Sequence, residues 1–377
     1  MLRVEEFHDL LAAHGVSFFT GVPDSQLGPF CDYITERYGA GRQHIQAANE
    51  GNAAAIAAGY HLATGAVPLV YMQNSGLGNA VNPLTSLLDP QVYGIPAVLL
   101  VGWRGRPGVH DEPQHVKMGQ ITPALLDVMG VEHFVLEAGT TAEQVAAVLS
   151  ERFAPQLDQG RAVAFVAAKG AFAPHSSPCA PRALPMSREQ AVGMLAAALG
   201  QQDFLVSTTG KTSRELYEYR VNHGQGGERD FLTVGSMGHA SSIALALAEN
   251  RPEMRFWCLD GDGALLMHTG AMALVGSRKP ANFVHVLLNN AAHESVGGMP
   301  TVADDVDWLA VASACGYVSA RRVADADALA SALEALNAEP GPAFLQIDVN
   351  LDCRADLGRP KSTPQENKRA FMEALRE

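Results

Sequence analysis

Two short segments carry the residues best suited to chemistry. Asp262 stands in Leu259-Asp260-Gly261-Asp262-Gly263-Ala264, and Asn290 in Leu287-Leu288-Asn289-Asn290. Each follows a buried-strand pattern, so a carboxylate and a carboxamide are delivered to neighbouring strand ends. That pair makes a hard-oxygen set suited to Mg²⁺, which prefers carboxylates completed by phosphate oxygens. Gly261 and Gly263 let backbone approach a phosphate, and a helix starting near Ala264 offers free N–H groups. A single Gly-Asp-Gly also marks an ordinary turn; the pair, each half after a strand, is what points to a metal.

Other groups fit around that core. Glu50, in Asn49-Glu50-Gly51-Asn52-Ala53, opens an Ala/Gly-rich helix, where a carboxylate is favoured by the dipole whatever else it does. Of thirteen histidines, His110 and His115 lie in a Gly/Pro-rich loop expected after the strand Ala97–Gly102, and His293 closely follows Asn290. Histidine suits proton transfer near neutral pH. Arg104, Arg106 and Lys117 cluster near the same loop and are expected to hold an anion, arginine in a bidentate fork; solvated surface charge is the plain alternative for Arg106 and Lys117. Asp24 and Ser25 follow the first strand, and Gln73-Asn74-Ser75-Gly76 ends another. In Val234-Gly235-Ser236-Met237-Gly238, Met237 is either a core plug or a prop under a bent ligand. Gly210-Lys211-Thr212 invites a P-loop reading, but Leu205 stands where the earlier glycine must be; Lys211 and Ser213 remain candidates for holding an anion.

The elements that must position these residues alternate. Strands are predicted at Val16–Phe19, Val67–Gln73, Ala97–Gly102, His133–Leu136 and Ala162–Ala167. A second series runs Phe204–Ser207, Phe231–Val234, Met254–Leu259, Phe283–Leu288 and Ala343–Asp348. Helices fall between them, including Ala53–Ala63, Thr141–Arg152 and a single helix from about Ala264 to Val275. Such βαβ alternation predicts two doubly wound parallel-sheet α/β domains, with ligands beyond the carboxyl ends of the strands. Residues 173–186 carry four prolines and no hydrophobic period, and read as a linker between domains at 1–172 and 187–377. Ser187-Arg188-Glu189-Gln190 is a capping-box pattern that starts the second domain.

Together these residues resemble the thiamine diphosphate-dependent 2-oxoacid decarboxylases, with a pyrimidine-binding half before a diphosphate-binding half and no middle domain. The phosphonopyruvate decarboxylase branch is similar over nearly the whole chain. That similarity rests on Thr20-Gly21-Val22-Pro23-Asp24-Ser25, on Trp103-Arg104-Gly105 with His110-Asp111-Glu112-Pro113-Gln114-His115, on Ser207 to Glu215, and on Asn289-Asn290 with His293-Glu294-Ser295 and Gly297-Gly298. The resemblance implies thiamine diphosphate and Mg²⁺ as cofactors. It implies Glu50 as the acid at the aminopyrimidine ring. Asp262, Asn290 and the backbone carbonyl of Ala292 would be metal ligands, and Gly235, Ser236, Met237, Gly261, Gly263 and Ala264 cofactor contacts. Asp24, Ser25 and His115 would be catalytic, with Arg104, His110, Lys117 and His293 also facing substrate. The cofactor would sit between the first half of one subunit and the second half of another, making a homodimer the smallest active unit. The implied reaction converts 3-phosphonopyruvate to phosphonoacetaldehyde and carbon dioxide, in phosphonate biosynthesis. Sulfopyruvate decarboxylation, and a catalytically silent cofactor-binding subunit, are the alternatives.

Composition bounds the rest. The 377 residues suffice for two domains, and with 47% hydrophobic and 18% charged residues they supply two cores. A net charge of −13 disfavours nucleic acid, so any anion must be held by local donors. Five scattered cysteines lack zinc spacing and read as reduced thiols. No apolar run approaches the roughly 18 residues of a membrane span, and Met1 to Glu6 has acidic residues where a signal peptide is apolar. The expected location is the cytoplasm.

Overall fold

The apolar runs Ala97–Val101, Ala162–Ala168 and Phe256–Leu259 become strands inside two parallel sheets. The computed structural model describes residues 1–176, 182–354 and 356–377, so the middle of the predicted linker lies outside the described residues. The chain divides into two compact units, Met1–Cys179 and Ala180–Glu377.

In the first unit the strands are β1 (Phe19–Gly21), β2 (His44–Gln46), β3 (Leu69–Gln73), β4 (Val98–Gly102), β5 (Glu132–Leu136) and β6 (Val163–Ala167). They pair in parallel in the order β2-β1-β3-β4-β6-β5. Every residue of β4 and β6 is buried, as expected for strands covered on both faces. One face packs Val70, Met72, Leu99 and Val101 against the alanines of helix Glu50–Thr64. On the other, Phe7 meets the rings of Phe30, Phe165 and Phe172 edge-on.

The second unit contains β7 (Asp203–Ser207), β8 (Asp230–Leu232), β9 (Arg255–Gly261), β10 (Phe283–Asn289), a short antiparallel hairpin of β11 (Ala292–His293) and β12 (Met299–Pro300), β13 (Ser319–Val323) and β14 (Ala343–Asp348). Its parallel sheet runs β13-β14-β10-β9-β7-β8. Period-2 alternation separates two cores: Leu205, Leu259, Val284 and Val286 on one side, Phe204, Val206, Phe256 and Phe283 on the other. The architecture is the doubly wound parallel pair that the βαβ pattern predicts.

Several local expectations are corrected. The first strand begins at Phe19, not Val16, because Val16–Phe18, with Val16 and Phe18 buried and Ser17 exposed, is the segment leading from the helix Val4–Ala13 into the sheet. Edge strands β2 and β13 escape sequence reading: their residues are partly exposed and form no apolar run. The expected helix after Gly263 is two, Asp262–Met267 and Gly270–Arg278, broken at His268–Thr269. The helix expected over Thr141–Arg152 becomes a helix Ala142–Ala147 continuing into a π-helical stretch, Val148–Phe153. At Ser187 only the forward cap is formed, from Gln190 N–H to the Ser187 hydroxyl. Among the described residues no helix is long and apolar enough to cross a membrane, and the four described cysteines are free.

Candidate active site

In the first unit the candidate side chains lie on segments that follow the carboxyl ends of the strands, Asp24 and Ser25 after β1, Glu50 after β2 and Arg104 after β4. Glu50 is the first residue of its helix, behind an Asn49 cap that accepts from Asn52 N–H (2.9 Å). It is 5% exposed, and its Oε2 accepts from Asn79 Nδ2 (2.8 Å). Asp24 is fully buried, with Oδ1 accepting from Gln73 Nε2 (2.7 Å) and Oδ2 from Gln26 N–H (3.1 Å). Burial pushes its pKa above the usual carboxylate value, against the opposing pull of Gln73 and Arg104. Gly102, the last residue of β4, makes room for it: a Cβ there would lie 2.1 Å from Asp24 Oδ2.

The segment after β4 is pinned by Asn74, whose Nδ2 donates to the Arg104 carbonyl (2.8 Å) and to Thr122 Oγ1 (2.9 Å). Arg104 lines a pocket with its charge already partnered. Its guanidinium is engaged bidentately by Asp111 (2.8 and 2.6 Å) and donates to the Ser25 hydroxyl (3.0 Å), so it is already charge-paired. Arg106 is likewise paired with Glu137 (2.6 Å) and stacked over Trp103, 4.9 Å from the ring. Lys117 is exposed on helix Pro113–Val128. That helix also takes His115 out of the expected loop, because Pro113 occupies a first helical position, where its missing N–H costs nothing. His115 is 7% exposed and its Nδ1 has no hydrogen-bond partner among the described residues. Burial first, then the nearby Arg104 charge, lower its pKa from the ordinary histidine value and favour the neutral imidazole. His110 is exposed in the preceding loop.

A cavity of about 370 Å³ is lined among others by Ser25, Trp103, Arg104, Arg106, His110 and Lys169. Lys169, which follows β6, is the lining cation that forms no ion pair among the described residues. No motif signals it; the parallel pairing of β4 with β6 brings it there.

In the second unit, β9 and β10 pair through Leu288 and Gly261, which brings the two metal candidates to adjacent strand ends. Asp262 is 4% exposed and its Oδ2 accepts from Thr301 Oγ1 (2.5 Å). Burial raises its pKa to about 6. Asn290 is buried, its Oδ1 accepts from Ala292 N–H (3.1 Å) and its Nδ2 donates to Glu294 (3.1 Å). Ala291 between them adopts φ 57, and its carbonyl accepts from Thr301 N–H (2.8 Å). Thr301, brought in by the β11–β12 hairpin, had no sequence signal. The set fits Mg²⁺: a buried carboxylate whose burial disfavours its charge, beside an amide oxygen with a free lone pair.

His293 packs on the Gly-Asp-Gly turn so closely that a Cβ at Gly263 would lie 2.6 Å from its Cε1. Burial pushes its pKa down to about 4. The Val234–Gly238 loop is strained: Gly235, Ser236 and Gly238 all have positive φ (72, 47 and 84°), a feature that collects at functional sites when the residue is not glycine. Met237 is half-buried there, just before helix Ala240–Asn250, and a Cβ at Gly238 would lie 2.8 Å from the Ala264 carbonyl. Ser213 is not free for an anion, since its hydroxyl donates to the Thr208 carbonyl (2.7 Å) and meets Ser207 Oγ (2.7 Å).

Two family models match the chain: the thiamine pyrophosphate enzyme N-terminal TPP binding domain over residues 4–129, and the C-terminal TPP binding domain over residues 208–347. A phosphonopyruvate decarboxylase of Streptomyces viridochromogenes is 38% identical over 376 residues, covering 96% of this chain and 92% of that protein. The chain belongs to the thiamine pyrophosphate enzymes. Within this family a phosphonopyruvate decarboxylase of Streptomyces hygroscopicus is also 38% identical, over 96% of this chain and 91% of its own. A sulfopyruvate decarboxylase of Methanosarcina acetivorans is 26% identical over 98% of this chain and 97% of its own. The two matched stretches hold Asp24, Glu50 and His115 in the first, and Met237, Asp262 and Asn290 in the second.

Proposed function

We propose that this thiamine pyrophosphate enzyme decarboxylates 3-phosphonopyruvate to phosphonoacetaldehyde and carbon dioxide, with Mg²⁺ as the second cofactor. The observation that carries the reading is the cavity lined by cationic and hydroxyl donors, among them Ser25 and Lys169, with the buried acid Asp24, held above its ordinary pKa, next to Ser25 in the chain. Full-length similarity to phosphonopyruvate decarboxylases supports it.

When bound, the thiazolium ring supplies the electron sink for loss of carbon dioxide from a 2-oxoacid. The chain's own residues do the rest. Glu50 holds a proton at the aminopyrimidine ring nitrogen, fixed by Asn79 and walled by Gly76. Asp262 and Asn290, with the Ala292 carbonyl, would hold the metal, and Met237 with Gly235 and Ser236 would prop the cofactor. His293 covers the Gly-Asp-Gly turn. Asp24 and His115, one disposed to keep its proton and the other to stay neutral, exchange protons with substrate oxygen and carbon. Ser25, His110 and Lys169 take the phosphonate, while Arg104 frames their pocket from its pair with Asp111.

The active unit is proposed to be a homodimer, each site drawing on both kinds of half, in a reducing cytoplasm. Loss of carbon dioxide draws phosphonopyruvate forward, which suits phosphonate biosynthesis. The test is turnover of 3-phosphonopyruvate, sulfopyruvate and pyruvate, with and without thiamine diphosphate and Mg²⁺. Cofactor-dependent aldehyde from phosphonopyruvate is expected. Preference for sulfopyruvate would replace the substrate assignment, and no turnover of any, with cofactor bound, would replace the enzymatic one.

A further inference from the structure

A buried ion network sits behind the metal loop, and none of its members is explained by the reaction. Arg188 is 7% exposed, although it opens a helix (Arg188–Ala198) at the start of the second unit. Its Nε and one terminal nitrogen donate to the two oxygens of buried Glu215 (2.8 and 2.7 Å). The other terminal nitrogen donates to Glu294 Oε2. That same Glu294 oxygen accepts from Asn290 Nδ2 (3.1 Å), and Lys211 Nζ stands 3.9 Å from Oε1. Two cations thus balance two carboxylates, and each guanidinium nitrogen of Arg188 donates to a carboxylate oxygen. Such a buried network holds geometry in a way that exposed pairs do not.

We propose that Glu294, clamped by Arg188, is the positioning residue that fixes which end of the Asn290 amide serves as metal ligand. The inference rests on the cofactor reading above. An amide has two faces of opposite polarity but nearly equal shape, and only its oxygen can ligate a cation. Glu294 accepts only, so it selects Nδ2 on its side. Oδ1 is thereby turned to Ala292 N–H, which uses one of its two lone pairs and leaves the other for metal. The flipped amide would set its oxygen against the Glu294 carboxylate and its NH₂ against the Ala292 N–H. Arg188 and Glu215 keep Glu294 from swinging away. Outer groups of this kind orient metal ligands and commonly govern affinity.

The test is Mn²⁺ binding, followed by electron paramagnetic resonance, to the full-length protein with thiamine diphosphate present. Glu294→Ala is expected to weaken Mn²⁺ by about 10- to 100-fold. Glu294→Asp, which keeps the charge but shortens the reach to Asn290, is expected to weaken it too. Glu294→Gln, whose amide oxygen still reaches Arg188 and Asn290, should retain most of the affinity. In an Asn290→Asp background no wrong face exists, so Glu294→Ala should there raise affinity by removing a like charge. Wild-type affinity in Glu294→Ala, or in Glu294→Asp with loss in Glu294→Gln, overturns the inference. So does an equal loss in both backgrounds, which would mark a general structural effect. Absence of Mn²⁺ binding by the wild-type protein with thiamine diphosphate overturns the cofactor reading itself, and this inference with it.

Discussion

Gly76 and Glu50 are packed so tightly that a Cβ on Gly76 would stand 2.4 Å from Glu50 Oε1 and 2.5 Å from its Cδ. The glycine is therefore part of how the carboxylate is aimed. Asn79 holds Oε2 from the same stretch of chain, so one short segment after β3 supplies both wall and donor.

Removing the proton-holding group while keeping its shape should be nearly lethal to turnover. Glu50→Gln is expected to fold with an unchanged thermal midpoint and to lose about 100-fold or more in kcat. Gly76→Ala should cost a comparable factor through misplacement of the same carboxylate, since a displacement of about 1 Å can cost 100-fold. Wild-type turnover in Glu50→Gln would remove the assigned role.

Asp262→Ala should weaken retention of Mg²⁺ and thiamine diphosphate together, read by gel filtration of the loaded protein followed by cofactor assay. Because Asp262 is buried and its pKa is raised by burial, the metal-free variant should be no less stable than the metal-free wild type near pH 7. Unchanged cofactor retention would refute the metal assignment.

Lys169 separates substrate tail from chemistry. Lys169→Met should raise KM for 3-phosphonopyruvate by about tenfold or more, the value of one charge-assisted hydrogen bond. Pyruvate, which lacks the anionic tail, should be turned over with unchanged KM. Lys169→Arg should recover most of the loss. Equal effects on both substrates would place Lys169 outside the pocket's function.

Arg104→Ala should now affect stability as well as saturation, because it strands the Asp111 carboxylate. The Gly105 and Glu112 N–H groups would remain as its donors (2.8 Å each). A fall in thermal midpoint together with a raised KM is expected; a raised KM alone would mean the guanidinium serves only substrate.

His115 sets a pH signature. Its folded-state pKa lies below the unfolded value of 6.5, so in that window the unfolded chain binds more protons. Stability should then rise with pH up to about 6.5 and be lost progressively as pH falls below it. Chemical denaturation of His115→Gln across this range should show a flatter dependence than wild type; an identical slope would assign the acid sensitivity to other groups. His44, also buried and with its pKa lowered by burial, contributes in the same direction in both proteins.

The sequence by itself determined the two parallel sheets, because β4, β6, β9 and β10 are largely buried on both faces and are therefore written as predominantly apolar segments, interrupted only at Asp260 and His285 inside β9 and β10. It also determined the helix-start placement of Glu50 and the strand-end placement of Asp262 and Asn290, because a cap precedes the first and apolar strand patterns precede the other two in the chain. What it left open was every partnership made across the sheet. Asp111 on Arg104, Gln73 on Asp24, Thr301 on Asp262, Arg188 on Glu294 and Lys169 in the cavity are long-range or loop-dependent contacts that no spacing encodes. Isolated, Arg104 and Lys169 are both candidate cations; only the folded chain pairs Arg104 with Asp111 and leaves Lys169 without an ion pair among the described residues. Local patterning follows from periodicity and burial, whereas the charge state of a site follows from which side chains the crossovers bring within hydrogen-bond distance.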